Sequence, residues 1–170
     1  MLTIRRAAEA DFEAIWPIFR AVIASGTTYV LAADTSHEVA FSYWFGRGVT
    51  SYVAEDDGRR LGAYKLVPNQ CDRGAHVANA SFIVDPGAAG KGLGHAMGLH
   101  CLREARRAGF LAMQFNFVVS SNAAAVRLWQ RLGFAIVGTL PRAFLHQELG
   151  YVDAHVMHRF LEDIDADAPA

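Results

Sequence analysis

The sequence is poor in the residues that mark several large classes of protein. Its two cysteines, Cys71 and Cys101, fit neither a disulfide framework nor the ligand spacing of a metal site. Lysine and arginine total 16 against 17 aspartates and glutamates, and no basic run occurs. No apolar stretch has the length that crosses a bilayer, and no apolar segment follows the N-terminal charges as in a signal peptide. We therefore expect a metal-free cytoplasmic protein with no membrane or nucleic-acid partner.

Hydrophobic residues make up 52% of the chain, which is enough for the core of one domain. The apolar spacing predicts seven strands and four helices. We expect strands at 2–6, 51–54, 61–67, 76–84, 110–119, 134–140 and 151–160, with a loop at 141–150. We expect helices at 12–24, at 35–45, from the glycine-rich turn to 108, and at 120–132.

The order of these elements predicts an α/β (α+β) fold with a mixed, mostly antiparallel sheet. The strands on either side of the third helix should be parallel neighbours, joined by a right-handed crossover. Asp11 is expected to cap the first helix, and residues 35–38 have the form of a capping box for the second. The single domain is expected at 1–161, and the acidic segment 162–170 is expected to be a flexible tail.

The most informative local stretch is the glycine-rich turn that follows the fourth strand. Gly87, Gly90, Gly92 and Gly94 connect an apolar run to a helix. Such a turn lets backbone N–H groups approach a phosphate, and the helix dipole and Lys91 add positive charge. Glycine clusters also occur in ordinary strand–helix connections, so the turn alone does not decide the function. A dinucleotide site is disfavoured because no acidic residue ends a strand about twenty residues further on.

A second motif begins at Asn122, continues through Ala125 and Trp129, and ends at Gly133 and Phe134. Together with the run Ala89-Gly90-Lys91-Gly92-Leu93-Gly94 and the order of the elements, it resembles the GNAT superfamily of acyl-CoA-dependent N-acetyltransferases. The resemblance extends over almost the whole chain. The runs at 68–69, 76–84 and 115–118 are similar to one branch of that family, which includes an enzyme that acetylates azetidine-2-carboxylate, a proline analogue.

The resemblance implies that acetyl-CoA is the cofactor. Its pyrophosphate would lie on the glycine-rich turn, and its pantetheine arm would lie beside the fourth strand where that strand splays away from the fifth. A β-bulge near Ser81 is one way to produce this splay. The cofactor-binding residues implied are Phe82, Ile83, Val84, Ala89, Gly90, Lys91, Gly92, Leu93, Gly94, His95, Asn122 and Ala125. Ala89 stands where the family usually has Gln or Arg, but the contribution there is mostly the backbone N–H.

The catalytic residues expected are Asn79, Asn116 and Trp129. The fourth strand has no carboxylate to serve as a base, and Trp129 stands where relatives often have a tyrosine acid. An asparagine cannot accept a proton at neutral pH, so Asn79 is better interpreted as a substrate anchor. Asn116 is either a second anchor or a buried amide tied to neighbouring backbone. We therefore expect catalysis mainly by positioning, with water or a weak base such as His76 accepting the proton.

The expected acceptor site is aromatic and nearly uncharged, which favours a small amine or amino-acid-like substrate, with a proline analogue among the candidates. Its expected residues are Thr28, Tyr29, Phe41, Trp44, Asn79, Asn116, Arg142 and Tyr151. The aromatics of the second helix are also typical of a core, and Arg142 of an exposed loop. The alternatives are a GNAT enzyme acting on an antibiotic or a protein N-terminus, and a non-catalytic acyl-CoA-binding or sensing module. The partner expected is the small-molecule amine, with a homodimer left open.

Overall fold

The computed structural model describes residues 1–167, in which seven strands form one mixed sheet. The strands are β1 (Thr3–Arg6), β2 (Thr50–Asp56), β3 (Arg59–Pro68), β4 (Val77–Val84), β5 (Ala112–Val119), β6 (Ala135–His146) and β7 (Gly150–Phe160). The helices are α1 (Phe12–Ala24), α2 (His37–Phe45), α3 (Leu93–Arg107) and α4 (Ala123–Arg131). The strand order is β1-β2-β3-β4-β5-β7-β6, and β4 and β5 are parallel neighbours. The predicted fold class is confirmed.

Strands β4 and β5 stay together for only a short distance. Within the described residues they pair at Val77 with Ala112 and at Ala78 with Met113, and then they separate. The predicted splay is therefore present, but the suggested bulge near Ser81 is wrong. The pairing of β4 with β3 is unbroken, and the irregularity lies on β5 between Phe115 and Val118. Because one edge of β4 is held by β3 along its length, it is β5 that turns away.

The two faces of the sheet carry separate cores. One core packs β3, β4 and β5 against α3 and α4 around Tyr64, Met97 and Phe115. The other packs the sheet against α1 and α2 around Phe19 and Ile83. Since successive side chains of a strand point to opposite faces, β4 presents alternate residues to each core. This alternation directs the polar side chains of β4, those of Asn79 and Ser81, to the α1–α2 face beside the splay.

The segment 141–150 was expected to be a loop, and this expectation is wrong. Strand β6 continues to His146, and its last residues pair with the first residues of β7. Pro141 lacks a backbone N–H and so indicated the end of a strand. The structure accommodates it in a bulge, where the pairing shifts between Leu140 and Phe144 and Arg142 adopts a left-handed φ of 51°.

Helices α1 and α2 begin close to the predicted positions, but the hydrogen bonds at their N-termini differ from those expected. Asp11 is the N-cap residue of α1, but its side chain accepts no N–H group of that helix. Its buried carboxylate instead accepts the N–H of Ala8 at 2.9 Å and pairs with Arg5 at 2.9 Å and Arg60 at 2.8 Å. The Arg5 guanidinium, with Arg60 beside it, holds the pKa of Asp11 well below its usual range. Likewise, α2 is capped by Ser36, which accepts the N–H of Val39 at 3.2 Å, in place of the expected capping box.

Beyond β7 the chain still contacts the domain. Leu161 is fully buried, and Ile164 packs against the core on the α3–α4 side. Asp163 pairs with Arg159. The last part of the expected tail, residues 168–170, lies outside the described residues. None of the described helices is both long and apolar enough to cross a membrane.

Asp11→Ala should lower the free energy of unfolding by about 2 kcal/mol, because two arginines lose a buried partner. Denaturant titration followed by circular dichroism measures this loss. Glu9→Ala, which removes an exposed carboxylate from the same turn, is the matched control and should change the free energy by less than about 0.5 kcal/mol. Equal losses in the two variants would contradict the role given to Asp11.

Candidate functional site

A cavity of about 460 Å³ opens where β4 and β5 part. Its walls come from β4, β5, α4 with its N-cap, and three segments on the other face of the sheet, namely α1, the loop that follows it, and α2. None of the residues lining it carries a formal charge. The cavity therefore combines an apolar lining with amide and hydroxyl groups, a combination typical of small-molecule sites.

Many of the residues predicted from the sequence meet in this cavity. Those that line it are Thr28, Tyr29, Asn79, Phe82, Ile83, Val84, Asn116, Asn122, Ala125 and Trp129. Because they come from four separate parts of the chain, only the fold brings them together. The prediction that the splay, the β4 backbone and the α4 cap adjoin one another agrees with this arrangement.

Four of the predicted substrate residues lie outside the cavity. Trp44 is fully buried in the α1–α2 core, with its ring centre 5.5 Å from that of Phe19. Phe41 packs in the same core. Arg142 and Tyr151 lie together on the β6–β7 hairpin, where the guanidinium carbon is 5.9 Å from the tyrosine ring centre.

The glycine-rich turn leads from the cavity to α3. Gly90 and Gly92 have φ values of 77° and 80°, which other residues rarely adopt, and Gly92 is the N-cap of α3. No partner within residues 1–167 accepts the N–H groups of the segment that follows Ala89 and ends in the first helical turn. These groups belong to Gly90, Lys91, Gly92, Leu93, Gly94 and His95. A turn with so many free donors is suited to bind an anion.

Asn122 and Trp129 form the α4 side of the cavity. The Asn122 side-chain oxygen accepts the N–H of Ala125 at 3.2 Å and so caps α4, while its NH₂ group has no partner among the described residues. Trp129 packs between Phe82 and Phe115, with ring centres 4.8 Å and 4.7 Å away. Trp129 is therefore a fixed part of the wall.

Asn79 on β4 and Asn116 on β5 differ in their hydrogen bonds. Asn79 makes no side-chain hydrogen bond within the described part of the chain, so its amide is free for a ligand. Of the two interpretations given for Asn116, the buried amide tied to backbone is wrong, because the side chain is exposed. Its NH₂ group donates to Asn69 at 2.7 Å, and its oxygen accepts from Gln114 at 2.9 Å. Its partners are therefore side-chain amides and not the neighbouring backbone.

Three residues at or beside the cavity were not assigned to the site from the sequence, namely Tyr43, Ser81 and Lys65. Tyr43 lines the cavity and donates to the Ser81 hydroxyl at 2.9 Å, while Tyr29 donates to the Phe82 carbonyl at 2.9 Å. Burial raises the pKa of both phenols, so they act as neutral donors. The third unassigned residue is Lys65.

Lys65 lies on β3 directly opposite Ser81. Its Nζ donates to the Tyr43 carbonyl at 3.0 Å and lies 3.2 Å from the centre of the Tyr43 ring. Burial lowers the pKa of Lys65 to about 8. The sequence carried little signal for this arrangement, because it depends on the β3–β4 register and on the position of α2.

Comparison with known proteins gives the family. The profile described as the Acetyltransferase (GNAT) family matches residues 12–134. The chain therefore belongs to the GNAT family of acetyltransferases, as its two motifs indicated. The structure of a GCN5-related N-acetyltransferase from Kribbella flavida is 45% identical, with a TM-score of 0.89, over 94% of this chain and 97% of that one.

Two curated relatives and a second structure extend this comparison. The N-acetyltransferase aca1 of Schizosaccharomyces pombe is 38% identical over 97 residues, 56% of this chain but only 46% of the relative. The L-methionine sulfoximine/L-methionine sulfone acetyltransferase of Salmonella typhimurium is 31% identical over 148 residues, 83% of this chain and 84% of the relative. The structure of yncA from Salmonella typhimurium, a putative acetyltransferase determined with acetyl-CoA, is 26% identical, with a TM-score of 0.85, over 100% of this chain and 98% of that one.

The buried lysine should leave a signature in the pH dependence of stability. Between pH 8 and 10.5 the folded chain has released the Lys65 proton while the unfolded chain still holds it, so stability rises with pH in this window. Thermal and denaturant unfolding should therefore show wild type gaining about 2 kcal/mol relative to Lys65→Met as the pH rises through the window.

The control is Lys91→Met, which removes the exposed lysine of the glycine-rich turn. Its pH profile should run parallel to that of wild type. A Lys65→Met profile that also stays parallel to wild type would show that Lys65 titrates as an ordinary surface lysine.

Proposed function

We propose that this chain transfers the acetyl group of acetyl-CoA to the amino group of a small amino-acid-like acceptor. The observation that carries the proposal is the uncharged cavity in the β4–β5 splay, which contains the free Asn79 amide and leads to a turn of free N–H groups. The methionine sulfoximine/sulfone acetyltransferase supports the substrate class, since its named substrates are small amino-acid derivatives.

The described residues fit acetyl-CoA. The N–H groups of the turn and the Lys91 ammonium offer positive ends to a pyrophosphate. The NH₂ group of Asn122 has no partner among the described residues, and β4 has no partner strand on its β5 side at Phe82 and Val84, so both would bind an extended pantetheine arm as an added strand does. The Phe82 carbonyl already accepts one hydrogen bond from Tyr29 and keeps its second lone pair. Once bound, the cofactor supplies an activated thioester.

The chain's own part in the reaction is mainly positioning. No carboxylate lines the cavity, and the two phenols there are protonated, so the lining offers donors but no strong base. Asn79 would anchor the acceptor, and the amides of Asn69 and Gln114 hold Asn116 beside it. Trp129 would close the wall without supplying a proton. The proton of the amine would then leave to water; His76, the weak base also expected from the sequence, is exposed and does not line the cavity.

Only some of the substrate-binding residues predicted from the sequence line the cavity. Thr28, Tyr29, Asn79 and Asn116 line the cavity and remain in the proposal. Tyr43 and Ser81 join them, while Phe41, Trp44, Arg142 and Tyr151 do not line it. The cytoplasmic setting and the homodimer remain predictions.

Release of the coenzyme A thiol from acetyl-CoA, measured against a panel of amines, tests the proposal. L-methionine sulfone, L-methionine sulfoximine and azetidine-2-carboxylate should each be compared with a peptide bearing a free N-terminus and with an aminoglycoside. We expect thiol release with one or more of the amino-acid-like acceptors and none with the other two. Release with the peptide or the aminoglycoside alone would contradict the substrate class, and cofactor binding without release would favour an acyl-CoA-binding module.

Substitutions in the cavity separate anchoring from acid catalysis. Asn79→Ala should lower kcat/KM about thirty-fold, mainly through KM, because an anchoring hydrogen bond is lost. Trp129→Phe should keep kcat within about three-fold, because the ring is a wall and not an acid. Steady-state kinetics measures both, and an unchanged affinity for coenzyme A shows that each variant folds. An unchanged kcat/KM in the first variant, or a collapse of kcat in the second, would overturn these roles.

A further inference from the structure

Lys65 is an ammonium group without a charged partner. Its Nζ contacts the carbonyl and the ring of Tyr43, both of them neutral, and no carboxylate within residues 1–167 pairs with it. The neighbours that face it are Tyr43 from α2, Ser51 from β2 and Ser81 from β4, and none of these is charged. Tyr29, which packs against Tyr43, is also neutral. The positive charge is therefore left uncompensated.

The side chains in front of Lys65 are hydroxyl and amide groups, which can donate hydrogen bonds to a ligand. The Ser81 hydroxyl is held by a hydrogen bond from Tyr43 and also lies beside the Tyr29 phenol. The amide of Asn79, next to Ser81 on the same face of β4, has no partner among the described side chains. The Thr28 hydroxyl oxygen is buried and also has no partner in that part of the chain. All three residues line the cavity, and Lys65 lies one side-chain layer behind Ser81.

From this arrangement we infer that Lys65 makes the Asn79–Ser81 wall an anion-favouring subsite, which selects acceptors that carry a free carboxylate. The inference rests on the proposed acetyl transfer and names the part of the acceptor that this wall binds. The carboxylate would accept hydrogen bonds from the wall while its charge is stabilised by the ammonium behind it. The same field repels polyamines and other acceptors whose only charges are positive.

The protonation of Lys65 gives the subsite a defined pH range. Because burial lowers the pKa of Lys65 to about 8, the ammonium is charged at neutral pH and loses its charge above that value. Binding of a carboxylate-bearing acceptor should therefore weaken above pH 8. A bound carboxylate should in turn raise the pKa of Lys65, since the two effects are linked.

Kinetics with matched acceptors tests the selection. L-methionine sulfone and its carboxamide differ in the carboxylate charge and share the amine and the side chain. Lys65→Met should raise KM about ten-fold for the acid and leave KM for the carboxamide within about two-fold. Lys65→Arg keeps the charge and should retain the preference for the acid. Equal changes of KM for the two acceptors in Lys65→Met would overturn the inference.

A spectroscopic measurement on the unmodified chain gives a second readout. The sequence contains two lysines, Lys65 and Lys91, so protein labelled with ¹³C at lysine Cε gives two lysine signals. The signal that is missing from Lys65→Met identifies Lys65. We expect saturating L-methionine sulfone to move the titration of that signal to higher pH and the carboxamide to leave it in place.

The two proposals fail in different ways. If no acceptor releases thiol but the acid still shifts the Lys65 titration, acetyl transfer is contradicted and the carboxylate subsite stands. If thiol is released while neither acceptor moves the titration and Lys65→Met treats both alike, the subsite is contradicted and the transferase function stands.

Discussion

The site depends on the separation of two parallel strands after a very short stretch of pairing. Strands β4 and β5 share two residue pairs and then diverge, which leaves one edge of β4 without a partner strand. An open edge of this kind is ordinarily a liability, because its backbone groups seek a partner. In this fold the open edge lies inside the molecule and forms one wall of the cavity.

The same constraint places the glycine-rich turn. Two parallel neighbours need a crossover, and α3 provides it, so a helix must begin where β4 ends. Its N-terminal donors therefore lie at the end of the open strand. The unpaired edge of β4 and the free N–H groups of the turn are continuous, and together they form the site that we propose for acetyl-CoA. The β4–α3 connection therefore explains why the open strand edge and the glycine-rich turn lie next to each other.

Because successive side chains of β4 point to opposite faces of the sheet, the two faces of this strand have different roles. On one face, Phe82 packs against Trp129. Helix α3 lies so close to the end of α4 that a Cβ on Gly98 would be 2.5 Å from Leu132, and this close packing holds the wall in place. The other face presents Asn79 and Ser81 to the part of the cavity that we propose for the acceptor, and Lys65 lies opposite Ser81 on β3. This side of the cavity therefore offers amide and hydroxyl groups close to a partly buried positive charge.

The sequence predicted those features that depend on local pattern. Strand and helix order followed from periodicity, and the placement of Asn79 followed from its position on β4. The features that it missed depend on contacts between distant residues. The pairing of Lys65 with Ser81 needs the β3–β4 register, and the role of Tyr43 in place of Trp44 needs the orientation of α2. Pro141 indicated the end of β6, but a bulge at this proline lets the strand continue to His146, and a bulge of this kind depends on the pairing with β7.

The central claim is that the open edge of β4 and the turn before α3 together hold coenzyme A. Amide hydrogen exchange, measured with and without coenzyme A, tests this claim most directly. We expect the ligand to slow exchange at Phe82, Val84 and residues 90–95, and to leave the distant β1–β2 pair unchanged. Tight binding of coenzyme A with no added protection in either segment would contradict the account.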